Sequence, residues 1–198
     1  MVEKNKIAIL VFHPVLYKSR VNTSLLEAVK GLSGVSCRIM YDLYPDFQID
    51  IALEQEILLE HDIIVWQHPL YWYSSPSLLK EWLDLVLEHG FAYGREGRAL
   101  EGKKVMSAIS SGGRRKTYGS DEGVQFTIRQ LLAPFEQTVN LCRMAYLPPF
   151  VTHGTHLLDV EHIRKAAGEY ARVIEGLRDG AFTEEMLRPT AYINDIIS

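Results

Sequence analysis

Residues 61–90 read HDIIVWQHPLYWYSSPSLLKEWLDLVLEHG. Ile63 to Gln67 is a continuous apolar run of strand length, and Leu79, Trp82, Leu83 and Val86 then recur at helical spacing up to Gly90. A strand without polar alternation needs cover on both faces, and a helix that follows it supplies one of the covers. Ser75 and Pro76 are read as the cap and first turn of that helix. The connection between the two is unusual, because it carries three large rings in succession, Tyr71, Trp72 and Tyr73.

The same unit recurs on either side. Ile7–Phe12, Val35–Tyr41 and Lys104–Ser110 are further strand-length apolar runs, with a less clean fifth at Asn140–Leu147. Ser24 and Glu27 have capping-box spacing and predict that the first helix begins there. Asp159 predicts the start of a last helix whose apolar residues, from Ile163 through Tyr170 to Leu177, precede a closing Gly180. Strand and helix alternate throughout, so the expected fold is α/β: a doubly wound open sheet of five parallel strands with helices on both faces, three layers in all. One domain should span residues 1–198. The tail after Gly180 has no strand to pair with and is expected as an arm packing on another subunit.

The 198 residues are 47% hydrophobic and 23% charged with a net charge of −4, a soluble globular composition that gives nucleic acid no general attraction. The apolar run Ile7–Phe12 is too short for a secretory or membrane segment, so the expected location is the cytoplasm. Cys37 and Cys142 stand apart and read as structural thiols. His153 and His156 lack a carboxylate or cysteine at ligand spacing, so no metal is expected. GRALEGK (97–103) imitates a P-loop but precedes a strand, and no G-x-G-x-x-G follows the first strand.

Wound sheets bind ligands at the carboxyl ends of their strands. Three loops lie there. The first holds His13, Ser19 and Asn22 before a helix, a set that suits a phosphate or simply caps the helix. Ser110, Ser111, Gly112 and Gly113 follow the fourth strand, either as a close backbone approach to a ligand or as an ordinary turn. The middle loop favours a ligand. Adjacent rings cannot all face the core, and a planar heteroaromatic molecule would use them for packing and the loop N–H groups for its polar edge.

His13-Pro14, Ser19-x-x-Asn22, Pro69-Leu70-Tyr71-Trp72-Tyr73, Ser110-Ser111-Gly112-Gly113 and Leu147-Pro148-Pro149-Phe150 together resemble the flavodoxin-like NAD(P)H:quinone oxidoreductases. Within that family the chain is most similar to the ancillary quinone reductase of bacterial glutathione-regulated potassium-efflux systems, from about Ile7 to Leu177. The resemblance implies a non-covalent flavin, FMN rather than FAD because the chain is short. His13, Ser19, Arg20, Val21 and Asn22 would surround its phosphate. Pro69, Leu70, Tyr71, Trp72 and Tyr73 would line its ring, and Ser110, Ser111, Gly112 and Gly113 would hold its polar edge.

The implied reaction carries two electrons in ping-pong fashion from NAD(P)H through the flavin to a quinone. Tyr118 and His153 are the candidates to hydrogen-bond the quinone oxygen, although His153 reads equally as a solvated loop residue. Longer relatives carry a histidine where this chain has Val124. Arg114, Arg115 and Lys116 either meet the ribose phosphate of NADPH or are solvated, which leaves NADH and NADPH open. A homodimer is implied, with the helix of Trp82 and Leu85 and the segment Phe91–Gly94 as candidate surface. So is a potassium-efflux transporter as partner, which would bring the protein to the inner face of the membrane. Two alternatives are a regulatory binding subunit of that transporter with incidental turnover, and a one-electron carrier of flavodoxin type. Against the carrier, the first loop is not rich in Ser, Thr and Gly.

Overall fold

The computed structural model describes residues 4–197. The chain runs β1 (Ile7–Val11), α1 (Arg20–Val29), β2 (Val35–Ile39), α2 (Met40–Leu43), α3 (Ile51–Glu60), β3 (Ile63–Pro69), α4 (Ser77–Val86) and β4 (Lys104–Ser110). It continues with α5 (Ile128–Leu131), α6 (Ala133–Leu141), β5 (Ala145–Tyr146), β6 (Phe150–Thr152), α7 (Val160–Arg178), α8 (Glu184–Leu187) and α9 (Asn194–Ile197). All described strand pairs are parallel, in the order β2-β1-β3-β4-β5, with β6 also on β4. The flavodoxin-like doubly wound sheet is therefore as expected from the sequence.

Alternation within the strands builds both outer layers. Ala8, Leu10, Ile64, Trp66, Val105 and Ile109 pack with α3, α4 and α6, whereas Ile7, Ile9, Val11, Ile63, Val65, Met106 and Ala108 pack with α1 and α7. Both faces of β1 and β3 are covered, which is why these strands read as unbroken apolar runs.

Several boundaries differ from expectation. The helix after the first loop starts at Arg20, capped by Ser19, whose Oγ accepts from the Asn22 N–H at 3.2 Å. Ser24 lies inside it, so its spacing to Glu27 caps nothing. The cap of α4 is Pro76 with no side-chain bond, and Ser75 Oγ turns to the Pro76 carbonyl. The fifth strand is interrupted: Asn140 and Leu141 end α6, and two short strands flank Pro148-Pro149, where the missing N–H groups cannot join a ladder. Trp82 faces its own core against Phe12 and Trp66 and offers no outer surface. The tail folds back on its own chain. Ile193 is buried, its N–H donates to the Pro149 carbonyl, and Phe182 and Leu187 pack against the α1/α7 layer.

His68, near the end of β3, is fully buried; its Nδ1 donates to the Pro69 carbonyl at 2.9 Å, and among the described residues its Nε2 meets no partner. Burial pushes its pKa down to about 4. Because the unfolded value is higher, the unfolded chain binds more protons between the two, so stability is lost as pH falls through this window. Between pH 7 and pH 5 the parent protein is expected to lose about 2 kcal/mol more than His68→Gln. Urea unfolding at both pH values measures this, and equal losses would contradict it.

Candidate functional site

The register brings three loops to one edge. Phe12 N–H donates to the Gln67 carbonyl, Leu70 N–H to the Ser110 carbonyl and Ser111 N–H to the Thr152 carbonyl, at 2.8–2.9 Å. The chain diverges here, because β1 lies between β2 and β3, and it leaves a cleft of ≈690 Å³ at the carboxyl edge.

Of the residues expected there, His13, Ser19, Arg20, Val21, Pro69, Leu70, Tyr71, Ser110, Gly112, Gly113 and Tyr118 line the cleft. Asn22 does not; it lies buried behind the wall and joins two loops. Its Nδ2 donates to Ser19 Oγ at 3.1 Å and to Ser110 Oγ at 2.8 Å, while its carbonyl accepts from Gln67 Nε2 at 3.0 Å. Ser111 is also buried, with Oγ on the Gly113 carbonyl and on the Tyr118 hydroxyl at 2.8 Å. Its single proton is spent on Gly113, so Tyr118 donates to Ser111 and presents lone pairs elsewhere. To donate to a ligand, Tyr118 must first release Ser111.

The aromatic loop is a tight hairpin. Tyr71 and Ser74 exchange two backbone bonds of 2.9 Å, and Trp72 and Tyr73 between them hold φ of 49° and 64°. Both central residues in the left-handed region make a turn that normally takes Asn or Gly. A bulky residue there costs about 1–3 kcal/mol, the kind of strain that accumulates at functional sites. Only Tyr71 lines the cleft, in edge contact with His13. Trp72 is 93% and Tyr73 53% exposed, and neither is part of the cleft wall.

His153 stands behind Tyr118, ring centroids 5.9 Å apart, and is not a lining residue. Burial first and the Arg115 charge second push its pKa down to about 4, which keeps it neutral. Four lining residues escaped the sequence reading as ligand contacts: Val15, Lys18, Thr155 and His156. The HGTH motif was a signal for the last two. Gly154 and Thr155 donate to the Gly113 and Ser111 carbonyls, which stitches that segment to the cleft.

The donor set suits a phosphate-bearing planar ligand such as FMN. Val15 N–H donates to His13 Nδ1 at 3.1 Å, so the neutral ring carries its proton on Nε2 as a donor. Burial lowers the pKa of His13 and favours that neutral form. Lys18 and Arg20 add positive charge at the N-terminus of the ten-residue helix α1. Gly112 and Gly113 have no room for a side chain: a Cβ would lie 2.9 Å from His156 Nε2 and 2.9 Å from the Tyr118 ring. The backbone between those rings stays bare for a ligand edge.

A family model described as flavodoxin-like fold matches residues 5–174. The ancillary protein KefF of a glutathione-regulated potassium-efflux system, from Enterobacter sp. (strain 638), is 45% identical over 166 residues, covering 83% of this chain and 92% of that protein. General stress protein 14 of Treponema denticola, solved in complex with FMN, is 35% identical with a TM-score of 0.81, covering 87% of this chain and 99% of that one. A P. pentosaceus structure described as an NADPH-quinone reductase is 32% identical with a TM-score of 0.75, covering 85% and 96%. This chain belongs to the flavodoxin-like fold family.

Proposed function

We propose that this chain is an FMN-dependent NAD(P)H:quinone oxidoreductase. The observation that carries the reading is the cleft at the strand divergence, with a cationic helix N-terminus at one side and the bare Gly112-Gly113 backbone at the other. Bound there, FMN would supply the two-electron chemistry that links NAD(P)H to a quinone, the hydroquinone's second proton coming from solvent. His13, Lys18, Arg20 and the first amides of α1 would hold the phosphate, and Leu70 and Tyr71 would pack the ring. Tyr118, on releasing Ser111, would donate to the acceptor oxygen from the cleft wall. The relative that contains FMN and the relative named as an NADPH-quinone reductase support the cofactor and the reaction.

Donor and acceptor use the same cleft in turn, so initial rates at several fixed menadione concentrations should give parallel double-reciprocal lines. Intersecting lines would overturn the shared cleft. A second reading is favoured by the KefF likeness: docking on a potassium-efflux transporter with turnover incidental. Pull-down of the transporter's cytosolic domain by a Ser19→Ala chain free of flavin separates the two, because retained capture supports docking and lost capture removes it. A homodimer belongs to the same proposal, and a strict monomer in light scattering would remove it.

A further inference from the structure

The tail lies beyond residue 174, where the family match ends, yet it contacts Arg115 and His153, which stand behind the cleft-lining Tyr118. Asp195 holds Arg115 with two bonds, Nη1 to Oδ1 at 2.6 Å and Nη2 to Oδ2 at 2.7 Å. The same guanidinium lies 4.7 Å over the ring of Tyr192. Tyr192 in turn packs on His153 at 5.6 Å, and His153 packs on Tyr118. The tail is itself moored: Asn194 Oδ1 accepts from Val151 N–H at 2.9 Å, and Ile193 is fully buried. Two routes, joined where Arg115 lies over Tyr192, thus run from the tail to Tyr118. One passes through Arg115, three residues upstream in the helical turn Arg115–Thr117, and the other passes through the His153 ring.

We propose that Tyr192–Asp195 is a strap that fixes the Arg115–Tyr118 turn, making the C-terminal tail a positioning element of the acceptor site. This rests on the oxidoreductase reading only for what the turn contacts. The backbone bonds of the turn stay within residues 114–126: Thr117 N–H donates to the Arg114 carbonyl, Tyr118 N–H to the Arg115 carbonyl at 3.3 Å, Gly119 N–H to the Val124 and Phe126 carbonyls, and Val124 N–H to the Thr117 carbonyl. A loop bonded mainly to itself is otherwise a low-stability element. A bidentate guanidinium–carboxylate pair fixes direction as well as distance, and the aromatic face beneath it removes a further degree of freedom. Arg115 is thereby committed to the strap and is not the nucleotide-phosphate contact that its basic run suggested.

The test uses the full chain with Asp195→Ala and, in case truncating the carboxylate unsettles the tail, the exchanged pair Arg115→Asp with Asp195→Arg. Amide hydrogen exchange of residues 115–119 is followed without flavin, and menadione KM and FMN Kd are then measured. The strap predicts roughly tenfold faster exchange in Asp195→Ala, a KM for menadione raised roughly fivefold with FMN Kd unchanged, and at least partial return of both in the exchanged pair. Unchanged exchange would overturn the strap, and so would faster exchange with unchanged KM. If the parent chain takes up no flavin, the functional reading falls, while the exchange result alone still decides whether the tail holds the turn.

Discussion

Asn22→Leu is expected to weaken FMN binding by about 2–3 kcal/mol, roughly 30- to 150-fold in Kd. The side chain is nearly isosteric, and Asn22 is only 1% exposed, so no ligand contact is removed directly. What is lost is the joint between the first and fourth strand loops. Without Nδ2, Ser110 Oγ loses the bond it accepts from residue 22, and Ser19 keeps only the backbone bond from that residue. The two walls are then free to shift relative to each other, and donors must sit within about 0.5 Å of their working positions. Titration of FMN, followed by quenching of its fluorescence, measures the effect. A Kd within about twofold of the parent value would mean that Asn22 is an ordinary helix residue.

Glu54→Ala is expected to cost about 3–5 kcal/mol of folding stability, enough to unfold many domains of this size. Glu54 lies on α3 with no exposed surface. Its Oε1 accepts from Arg38 Nη2 and from Tyr44 OH at 2.7 Å, and its Oε2 accepts from Trp82 Nε1 at 2.9 Å. Alanine would leave a largely buried guanidinium without its counter-charge and two polar groups without an acceptor. Burial and the bond to Glu54 push the Tyr44 hydroxyl up to about 12, so it remains a donor throughout the working range. Glu54→Leu paired with Arg38→Met should recover most of the loss, because the cost lies in the unpaired charge. Urea unfolding of the three proteins decides it, and a loss below about 1 kcal/mol in Glu54→Ala would contradict the account.

The fold was legible because β1, β3 and β4 are covered on both faces, which forces apolar runs that no surface strand would need. The fifth strand was misplaced for a physical reason: its pairing with β4 covers only two and three residues on either side of Pro148-Pro149, too little for a periodic signal. Ser19 was legible as a helix cap only as the alternative to a phosphate contact; Ser24 and Glu27 offer a better local motif, yet Ser19 caps the helix and the buried contacts of Asn22 hold the earlier start. Glu54 gave no warning. On α3 a carboxylate points inward, and the three donors brought by Arg38 on β2, Tyr44 just after α2 and Trp82 on α4 make that tolerable.

At the site, the residue types in the three loops identified the cleft, yet the side-chain directions did not follow. Trp72 points outward because a left-handed backbone at residues 72 and 73 reverses the expected direction, and period-two reasoning does not extend through such a turn. His153 was placed beside the acceptor and instead supports Tyr118 from behind, because Gly154, with φ of 66°, swings the chain so that Thr155 and His156 face the cleft. Lys18 lies in the short turn Leu16–Lys18, whose direction depends on the helix that follows.

The most direct measurement is the visible spectrum of the purified chain reconstituted with FMN under anaerobic conditions, before and after one equivalent of NADPH and then one of menadione. The account predicts a two-banded flavin spectrum that bleaches with the nucleotide and returns fully with the quinone. A chain that takes up no FMN, or a bound flavin that neither NADPH nor NADH bleaches, would contradict it.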